Sequence, residues 1–211
     1  MFDLDGTLID TMDGFADLAA EIMTARHGLV AAQGRRRYLE TSGIPFRQQL
    51  EVIHPGHAAN QPASDEFEQR KRAVCDAAVM TDKTIAALER MRAAGMKLIV
   101  SSNSAQHFVD EFAARAAFRF DLALGFDAGA SLAKGLPHVL HTCTALGLSR
   151  DDIVFCGDSL KDGELARSCE IAFVGRLGTF TRDEFRRWDP KAPVVDDVEA
   201  LAVLLQSRVA A

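Results

Sequence analysis

Two aspartates, Asp3 and Asp5, lie one residue apart in the opening stretch MFDLDGTLID. In an extended backbone, residues two apart point to the same side, so both carboxylates would converge near the end of a short strand. Like charges this close repel, and a divalent cation or protonation of one carboxyl group relieves the repulsion. An ionised carboxylate can act as a nucleophile, and a carboxyl group of raised pKa can donate a proton and later accept one. Solvated or turn-forming aspartates are the alternative, which the pair by itself favours.

A second acidic stretch, GDSLKD, follows the apolar run IVFC and places Asp158 and Asp162 four residues apart. At a strand-to-helix turn, both carboxylates can face one point. Together with the first pair they would form an oxygen-rich site, which suits a hard cation such as Mg2+. The alternative is acidic residues in the first turn of a helix, where the helix dipole favours negative charge.

Hydroxyl, amide and ammonium groups complete the set. Ser101, Ser102 and Asn103 follow the apolar run KLIV and precede a helical pattern, so they either bind phosphate or simply cap the helix. Lys134 is either solvated or neutralises negative charge beside a phosphate. A nucleophile, a proton-transfer group, cation ligands and phosphate-binding groups are what phosphoryl transfer requires.

The elements that must position these residues alternate between strand and helix. Compact apolar runs at residues 97–100, 153–156 and 171–174 predict strands, with weaker candidates at 122–125 and 194–195. Helical patterns separate them, and this alternation predicts an α/β fold with a Rossmann-like parallel sheet covered on both faces. Ligands of such sheets bind at the carboxyl ends of the strands, where all four polar stretches lie.

The section between the first strand and the rest has a different pattern. This section contains helical patterns at 11–27, 46–53 and 65–79, a basic patch near residues 34–46, a loop at 54–64 and no convincing strand. We therefore expect a core domain of residues 1–11 and 82–211 and an inserted helical domain of residues 12–81. The apolar stretch before Asp3 is too short for a complete central strand, so we expect the first strand to begin upstream of Met1.

Composition limits the class of protein. The 211 residues carry a formal net charge of -6, which argues against a nucleic-acid-binding surface. No apolar stretch is long enough to span a membrane, and four cysteines without a CxxC pair suggest reduced thiols. We expect a soluble cytoplasmic protein, a monomer or a homodimer.

The combination of DLDGT, SSN after KLIV, Lys134 and GDSLKD resembles the four motifs of the haloacid dehalogenase-like hydrolase superfamily. The resemblance implies a phosphatase-type member, with the helical insertion similar to the cap domain of that family. Members that remove halide lack the second aspartate of the first motif, so Asp5 favours phosphate chemistry.

The resemblance also implies a role for each matching residue. Asp3 would be the nucleophile that forms an aspartyl-phosphate, and Asp5 the general acid and base. Lys134 would bridge the phosphate and the nucleophile, and the hydroxyl of the second motif would be Ser101, with Ser102 as the alternative. The implied Mg2+ ligands are Asp3, Asp5, Asp158 and Asp162. The implied phosphate-binding residues are Gly6, Thr7, Ser102 and Asn103.

Substrate choice would rest with the inserted helical domain. Arg47, with Arg35, Arg36 and Arg37 behind it, could contact the rest of a phosphorylated metabolite; the alternative for the run of arginines is an exposed helix face. A Mg2+-dependent phosphatase acting on a small phosphomonoester, such as phosphoglycolate or a sugar phosphate, is the leading hypothesis. A phosphomutase similar to beta-phosphoglucomutase and a non-catalytic regulatory protein of the same fold are the alternatives.

Overall fold

The computed structural model describes residues 1–209 and divides them into two compact units. The sheet unit consists of residues 1–9 together with the described residues from 80 onward. The helical unit consists of residues 10–79. Each unit encloses a buried apolar cluster of its own.

Helices and strands follow one another along the chain in two blocks. The helical block is followed by a block of strands that alternate with helices. In order, the elements are α1 (Met12–His27), α2 (Ala31–Glu40), α3 (Phe46–Ile53), α4 (Asn60–Ala77), α5 (Asp82–Ala93), β1 (Ile99–Ala105), α6 (Gln106–Arg115), β2 (Leu122–Phe126), α7 (Leu136–Leu146), a short 3-10 helix (Arg150–Asp152), β3 (Val154–Gly157), α8 (Leu160–Ser168), β4 (Ala172–Arg176), α9 (Arg182–Trp188), β5 (Val194–Val195) and α10 (Val198–Val209).

The strands of the sheet unit are paired in parallel. β1 pairs with β2, while β3 pairs with β4 and β4 with β5. Phe2 forms parallel bridges to Val100 on one side and to Cys156 on the other, so the amino-terminal segment lies between β1 and β3. The order across the sheet is therefore β2, β1, the segment around Phe2, β3, β4 and β5. This arrangement confirms the expected α/β fold with a parallel sheet.

Apolar side chains of the sheet pack against α7 and α8. Ile99 in β1 and Phe155 in β3 pack with Val139 of α7 and Ala166 of α8, and all four are buried. Burial of large apolar side chains stabilises each by about 1.5–3 kcal/mol relative to exposure. This packing fixes where α7 and α8 begin relative to the ends of the strands.

Four aromatic side chains lie in the core of the helical unit. Phe15, Tyr38, Phe46 and Phe67, from α1, α2, α3 and α4, are all buried. The rings of Phe46 and Phe67 lie 4.4 Å apart between centroids. One aromatic residue from each helix therefore joins the four helices into a single packed group.

Two helical segments differ from the sequence-based expectations. The arginines of the basic patch lie in α2, a helix that the sequence did not predict. The fourth helix, α4, begins at Asn60 instead of residue 65. Pro62 and the polar run before it suggested a loop. In the first turn of a helix, however, the missing N–H of Pro62 costs no hydrogen bond, because the first four N–H groups have no partner within the helix. Ser64, in the expected loop, instead lies inside α4 and is buried.

Three of the histidines come together in the helical unit. The rings of His27 and His54 are stacked with their centroids 4.5 Å apart, and the centroid of His57 lies 4.8 Å from that of His27. Burial, reinforced by the two neighbouring imidazoles, lowers the pKa of His54. Stacked rings of this kind are favoured when they are uncharged.

Among the described residues, no helix is both long enough and apolar enough to cross a bilayer.

Candidate active site

Three buried aspartates meet at the carboxyl end of the parallel sheet. Asp3 follows Phe2, Asp158 follows β3, and Asp162 lies in the first turn of α8. Each offers a carboxylate oxygen, and these oxygens all lie within 4.8 Å of one another. We call Asp3, Asp158 and Asp162 the acidic cluster. Carboxyl ends of neighbouring parallel strands share one edge of the sheet, which brings together residues far apart in sequence.

Lys134 connects two members of this cluster. Its Nζ lies 2.7 Å from Oδ1 of Asp3 and 2.6 Å from Oδ1 of Asp162. The side chain is 2 % exposed, and Nζ also lies 5.5 Å from the centroid of the Phe155 ring. A buried ammonium needs such partners, because an unpaired buried charge is costly.

Burial and mutual repulsion govern the protonation of the cluster. Burial raises the pKa of Asp3 well above its usual value; Lys134 opposes this shift, and Asp162, Asp158 and Asp5 reinforce it. Burial, together with Asp162, raises the pKa of Asp158 to about 7, against a hydrogen bond from Thr179. Burial lowers the pKa of Lys134, but Asp162 and Asp3 outweigh it and raise that pKa overall. The ammonium therefore stays charged, while the carboxylates carry uncompensated repulsion.

The donor set of the acidic cluster fits a hard divalent cation. One ammonium cannot balance three buried carboxylates, so another positive charge would relieve the repulsion. The donors on offer are carboxylate oxygens without imidazole or thiolate, the chemistry that suits Mg2+. The cluster includes three of the four aspartates that the sequence suggested as metal ligands.

A capping box holds Asp162 in position. Oδ2 of Asp162 accepts hydrogen bonds from the backbone N–H of Ser159 at 3.1 Å and from its hydroxyl at 2.7 Å. The Ser159 hydroxyl in turn accepts from the backbone N–H of Asp162. One carboxylate oxygen is thus committed to the helix start, and the other faces Lys134.

Gly157 allows the carboxylate of Asp162 to fold back over the strand. A Cβ atom at position 157 would lie 2.5 Å from the carboxyl group of Asp162, well inside van der Waals contact. Because the neighbouring atoms belong to a side chain that is itself fixed by hydrogen bonds, the position requires glycine.

The DLDGT turn places further polar groups near Asp3. Asp5 is half-buried, and one of its carboxylate oxygens lies 3.5 Å from the hydroxyl of Ser104. The carbonyl of Gly6 accepts a hydrogen bond of 2.7 Å from Arg176. The hydroxyl of Thr7 is buried and has no hydrogen-bond partner among the described residues. Buried polar groups are normally satisfied, so this hydroxyl is available to a ligand.

The two candidate serines lie within β1, which extends to Ala105, farther than the sequence suggested. Ser101 is fully buried, and its Oγ lies 2.8 Å from Nδ1 of His138. Ser102 is also buried, and its Oγ accepts a 3.0 Å hydrogen bond from the backbone N–H of Ser104. Asn103 is half-buried in the same strand.

The arginines suggested for substrate binding belong to the helical unit. Arg47 pairs with Glu51 within α3 and donates to Oε1 of Gln61 at 3.1 Å. Arg35 pairs with Asp13 and Asp17 of α1. Arg36 and Arg37 both lie near Glu40 within α2. These ion pairs are typical of an exposed helix surface.

Three residues that contact the candidate site were missed in the sequence. Thr179, beyond β4, donates a hydrogen bond to Oδ2 of Asp158, and nothing in its spacing indicated this contact. Ser159 could have been found, since a serine three residues before an aspartate at a helix start is a capping-box signature. The sequence did not indicate the contact of His138 with Ser101, because a lone histidine in a helical pattern cannot be told from an ordinary core or surface residue.

Comparisons with known proteins give a family match for the chain. The family model described as haloacid dehalogenase-like hydrolase matches residues 1–169. A phosphoglycolate phosphatase of Chromobacterium violaceum is 27% identical over 182 residues, which cover 82% of each chain.

Solved structures of similar fold cover nearly the whole chain. A predicted phosphatase from Clostridium acetobutylicum superposes with a TM-score of 0.80 at 19% identity, covering 98% of this chain and 96% of that one. A haloacid dehalogenase-like family protein from Streptococcus pneumoniae superposes with a TM-score of 0.78 at 18% identity, covering 96% of both chains. With the family model spanning four fifths of the sequence, the chain belongs to the haloacid dehalogenase-like hydrolases.

Proposed function

We propose that this chain is a Mg2+-dependent phosphatase that hydrolyses a small phosphomonoester through an aspartyl-phosphate on Asp3. The observation that carries the proposal is the contact of the buried Lys134 ammonium with both Asp3 and Asp162. This ion pair joins a carboxylate of the first motif to one of the last. It orients the Asp3 carboxylate within the buried acidic cluster.

In the first half-reaction, a carboxylate oxygen of Asp3 attacks the phosphorus atom. The bond between phosphorus and the ester oxygen breaks, and the leaving oxygen takes a proton from the carboxyl group of Asp5. Asp5 is half-buried, so unlike Asp3 it can exchange protons with solvent. The product alcohol leaves, and the phosphoryl group remains on Asp3.

In the second half-reaction, Asp5 returns to its starting state. Its carboxylate takes a proton from a water molecule as the water oxygen attacks phosphorus. The bond between phosphorus and Asp3 breaks and orthophosphate departs.

The acidic cluster would hold Mg2+ through oxygens of Asp3, Asp158 and Asp162. When bound, the cation supplies positive charge that lets an anionic nucleophile approach an anionic phosphate. Lys134 supplies further positive charge, and the free hydroxyl of Thr7 is a donor for a phosphoryl oxygen.

The name of the curated relative supports the proposed substrate class. The protein of Chromobacterium violaceum is named a phosphoglycolate phosphatase, which supports a small phosphorylated metabolite as substrate. We include phosphoglycolate and hexose phosphates in the set of substrates to compare.

The test is phosphate release from para-nitrophenyl phosphate with and without Mg2+. We expect release that stops on addition of EDTA, returns with Mg2+ and is abolished in Asp3→Asn. Asp151→Asn, which alters an exposed carboxylate of the sheet unit, is the matched control and should retain activity. Activity that survives Asp3→Asn would contradict the aspartyl-phosphate.

A further inference from the structure

His138 is a buried histidine of the sheet unit that the proposed reaction does not use. It lies in the first turn of α7, four residues after Lys134, and is completely buried. Both of its ring nitrogens have partners: Nδ1 lies 2.8 Å from the hydroxyl of Ser101, and Nε2 lies 3.0 Å from the carbonyl oxygen of Gly125. The histidine therefore connects β1, β2 and the helix that follows Lys134.

These partners determine which nitrogen carries the proton. A carbonyl oxygen can only accept, so Nε2 must donate to Gly125. In the neutral ring Nδ1 then has a lone pair and accepts the hydroxyl proton of Ser101. Burial, with Lys134 and His141 adding to it against the Gly125 hydrogen bond, lowers the pKa of His138 to about 4. The ring is therefore neutral at neutral pH.

Gly125 is itself held in a fixed position, so it is a firm anchor for the ring. Its N–H donates to Oε1 of Gln106 at 2.7 Å, and Nε2 of Gln106 donates to the carbonyl of Ala123 at 2.9 Å. A Cβ atom at position 125 would lie 2.7 Å from the backbone of Gln106, which leaves room only for glycine. These contacts hold the end of β2 against α6, next to the carbonyl oxygen that accepts from Nε2 of His138.

The two neighbouring serines consequently differ in what they can donate. The Ser101 hydroxyl proton is committed to His138. The Ser102 hydroxyl accepts from the backbone N–H of Ser104 and donates its own proton to none of the described residues. A phosphoryl oxygen needs a donor, and Ser102 has one to give.

We propose that His138 is a positioning residue that takes the hydroxyl proton of Ser101, so that Ser102 supplies the hydroxyl donor to the phosphoryl group. This assignment rests on the proposed phosphatase function. The backbone N–H of His138 also donates to the carbonyl of Ala133 at 3.3 Å, next to Lys134. Through its backbone and its ring together, His138 links the turn that carries the lysine to Ser101 of β1.

The protonation pattern is tested without any assay of activity. Long-range 1H–15N spectra of the full chain should show His138 neutral at pH 7, with the proton on Nε2 and none on Nδ1. In Ser101→Ala, the Nδ1 resonance should move while the Nε2 resonance stays near its place. A proton on Nδ1, or a doubly protonated ring at pH 7, would overturn the proposal.

The division of labour between the serines is tested by inhibition with orthophosphate and by turnover of para-nitrophenyl phosphate. Ser102→Ala should weaken inhibition by orthophosphate about tenfold or more, the effect of losing a hydrogen bond to a charged group. Ser101→Ala and His138→Gln should each lower kcat about five- to tenfold and change that inhibition less than about threefold. The double variant should be no slower than the slower single variant, because both remove one interaction.

His141→Gln is the matched control, since His141 is an exposed histidine of the same helix, and its kcat should be unchanged. If Ser101→Ala weakens orthophosphate inhibition as much as Ser102→Ala does, or if the single effects multiply in the double variant, the proposal is wrong. Should His138→Gln fail to fold, the serine variants and the spectra still decide. A wild-type protein that releases no phosphate would instead contradict the proposed function and leave the spectral result standing.

Discussion

At the scale of single residues, Lys134 is the only cation that contacts two members of the acidic cluster among the described residues. It is nearly fully buried, so the balance of charge there depends on one side chain. In a region of low dielectric, removing one partner of a buried ion pair leaves the others uncompensated. The same ion pair therefore affects both folding stability and the orientation of Asp3.

Replacing Lys134 by methionine tests this dependence. In Mg2+-free buffer at pH 8, Lys134→Met should lower the free energy of unfolding by about 3 kcal/mol, measured by urea titration. Lys161→Met removes an exposed lysine paired with Glu164 and should cost less than about 0.5 kcal/mol. Equal losses in the two variants would show that the buried pair has no special importance.

Asp158 has the opposite effect on stability. With its pKa near 7 it is mostly charged at pH 8, and it adds to the repulsion within the acidic cluster. Asp158→Asn should therefore raise the melting temperature in EDTA, because the amide keeps a carbonyl oxygen for Thr179 and carries no charge. Saturating Mg2+ should raise the melting temperature of the wild type by about 5–10 °C and that of the variant much less. Thermal scans with and without Mg2+ measure both effects, and equal Mg2+ shifts in the two proteins would argue against a cation at Asp158.

At the scale of elements, the turn between β3 and α8 both starts a helix and positions a carboxylate of the acidic cluster. Ser159 caps α8 and also binds the carboxylate of Asp162. A second capping box, Thr181 with Glu184 at the start of α9, has the same local geometry but involves no member of the acidic cluster. The two caps make a matched comparison of a helix start inside the site with one outside it.

Ser159→Ala and Thr181→Ala should therefore have the same effect on folding and different effects on Mg2+. Each should lower the free energy of unfolding by about 1 kcal/mol, the usual cost of a lost cap. Ser159→Ala should also raise the Mg2+ concentration needed for half-maximal activity, since the Asp162 carboxylate loses the hydrogen bond from the Ser159 hydroxyl and the Asp162 backbone N–H loses its acceptor. The prediction fails if Thr181→Ala changes that midpoint as much.

At the scale of the whole molecule, His138 makes stability depend on pH. Its pKa is lowered in the folded state, so the unfolded chain binds a proton more readily. Above pH 6.5 the ring is neutral in both states and does not affect the free energy of unfolding. As pH falls from 6.5 toward about 4, the unfolded chain takes up the proton first, so the free energy of unfolding decreases by close to 1.4 kcal/mol per pH unit. The difference in unfolding free energy between wild type and His138→Gln, followed from pH 7.5 to pH 5 by urea titration, isolates this contribution. A difference that stays constant with pH would show that the ring is not kept neutral by folding.

The parallel sheet could be predicted because its strands are compact apolar runs with polar residues at their ends. The acidic cluster could be predicted because its aspartates occupy those ends. α2 escaped detection because three consecutive arginines obscured its narrow apolar face, and α4 because Pro62 is acceptable in a first turn. The contacts of Thr179 and His138 could not be predicted, since each depends on which loops the folded sheet brings side by side. Such pairings are decided by packing of distant segments and leave no local pattern.

Phe2 has a consequence for how the molecule comes apart. Among residues 1–209 this segment joins the two halves of the sheet, β2 with β1 on one side and β3 with β4 and β5 on the other. Toward β1, the N–H of Phe2 donates to the carbonyl of Ile99 and the N–H of Ser101 to that of Phe2. Toward β3, the N–H of Asp3 donates to the carbonyl of Cys156 and the N–H of Cys156 to that of Met1. If these hydrogen bonds broke transiently, Ser101 and Asp158 would move apart while both halves of the sheet stayed folded. We expect the exchange rates of these amide hydrogens to rise together at denaturant concentrations below those of global unfolding. The turnover rate should fall over the same range of concentrations.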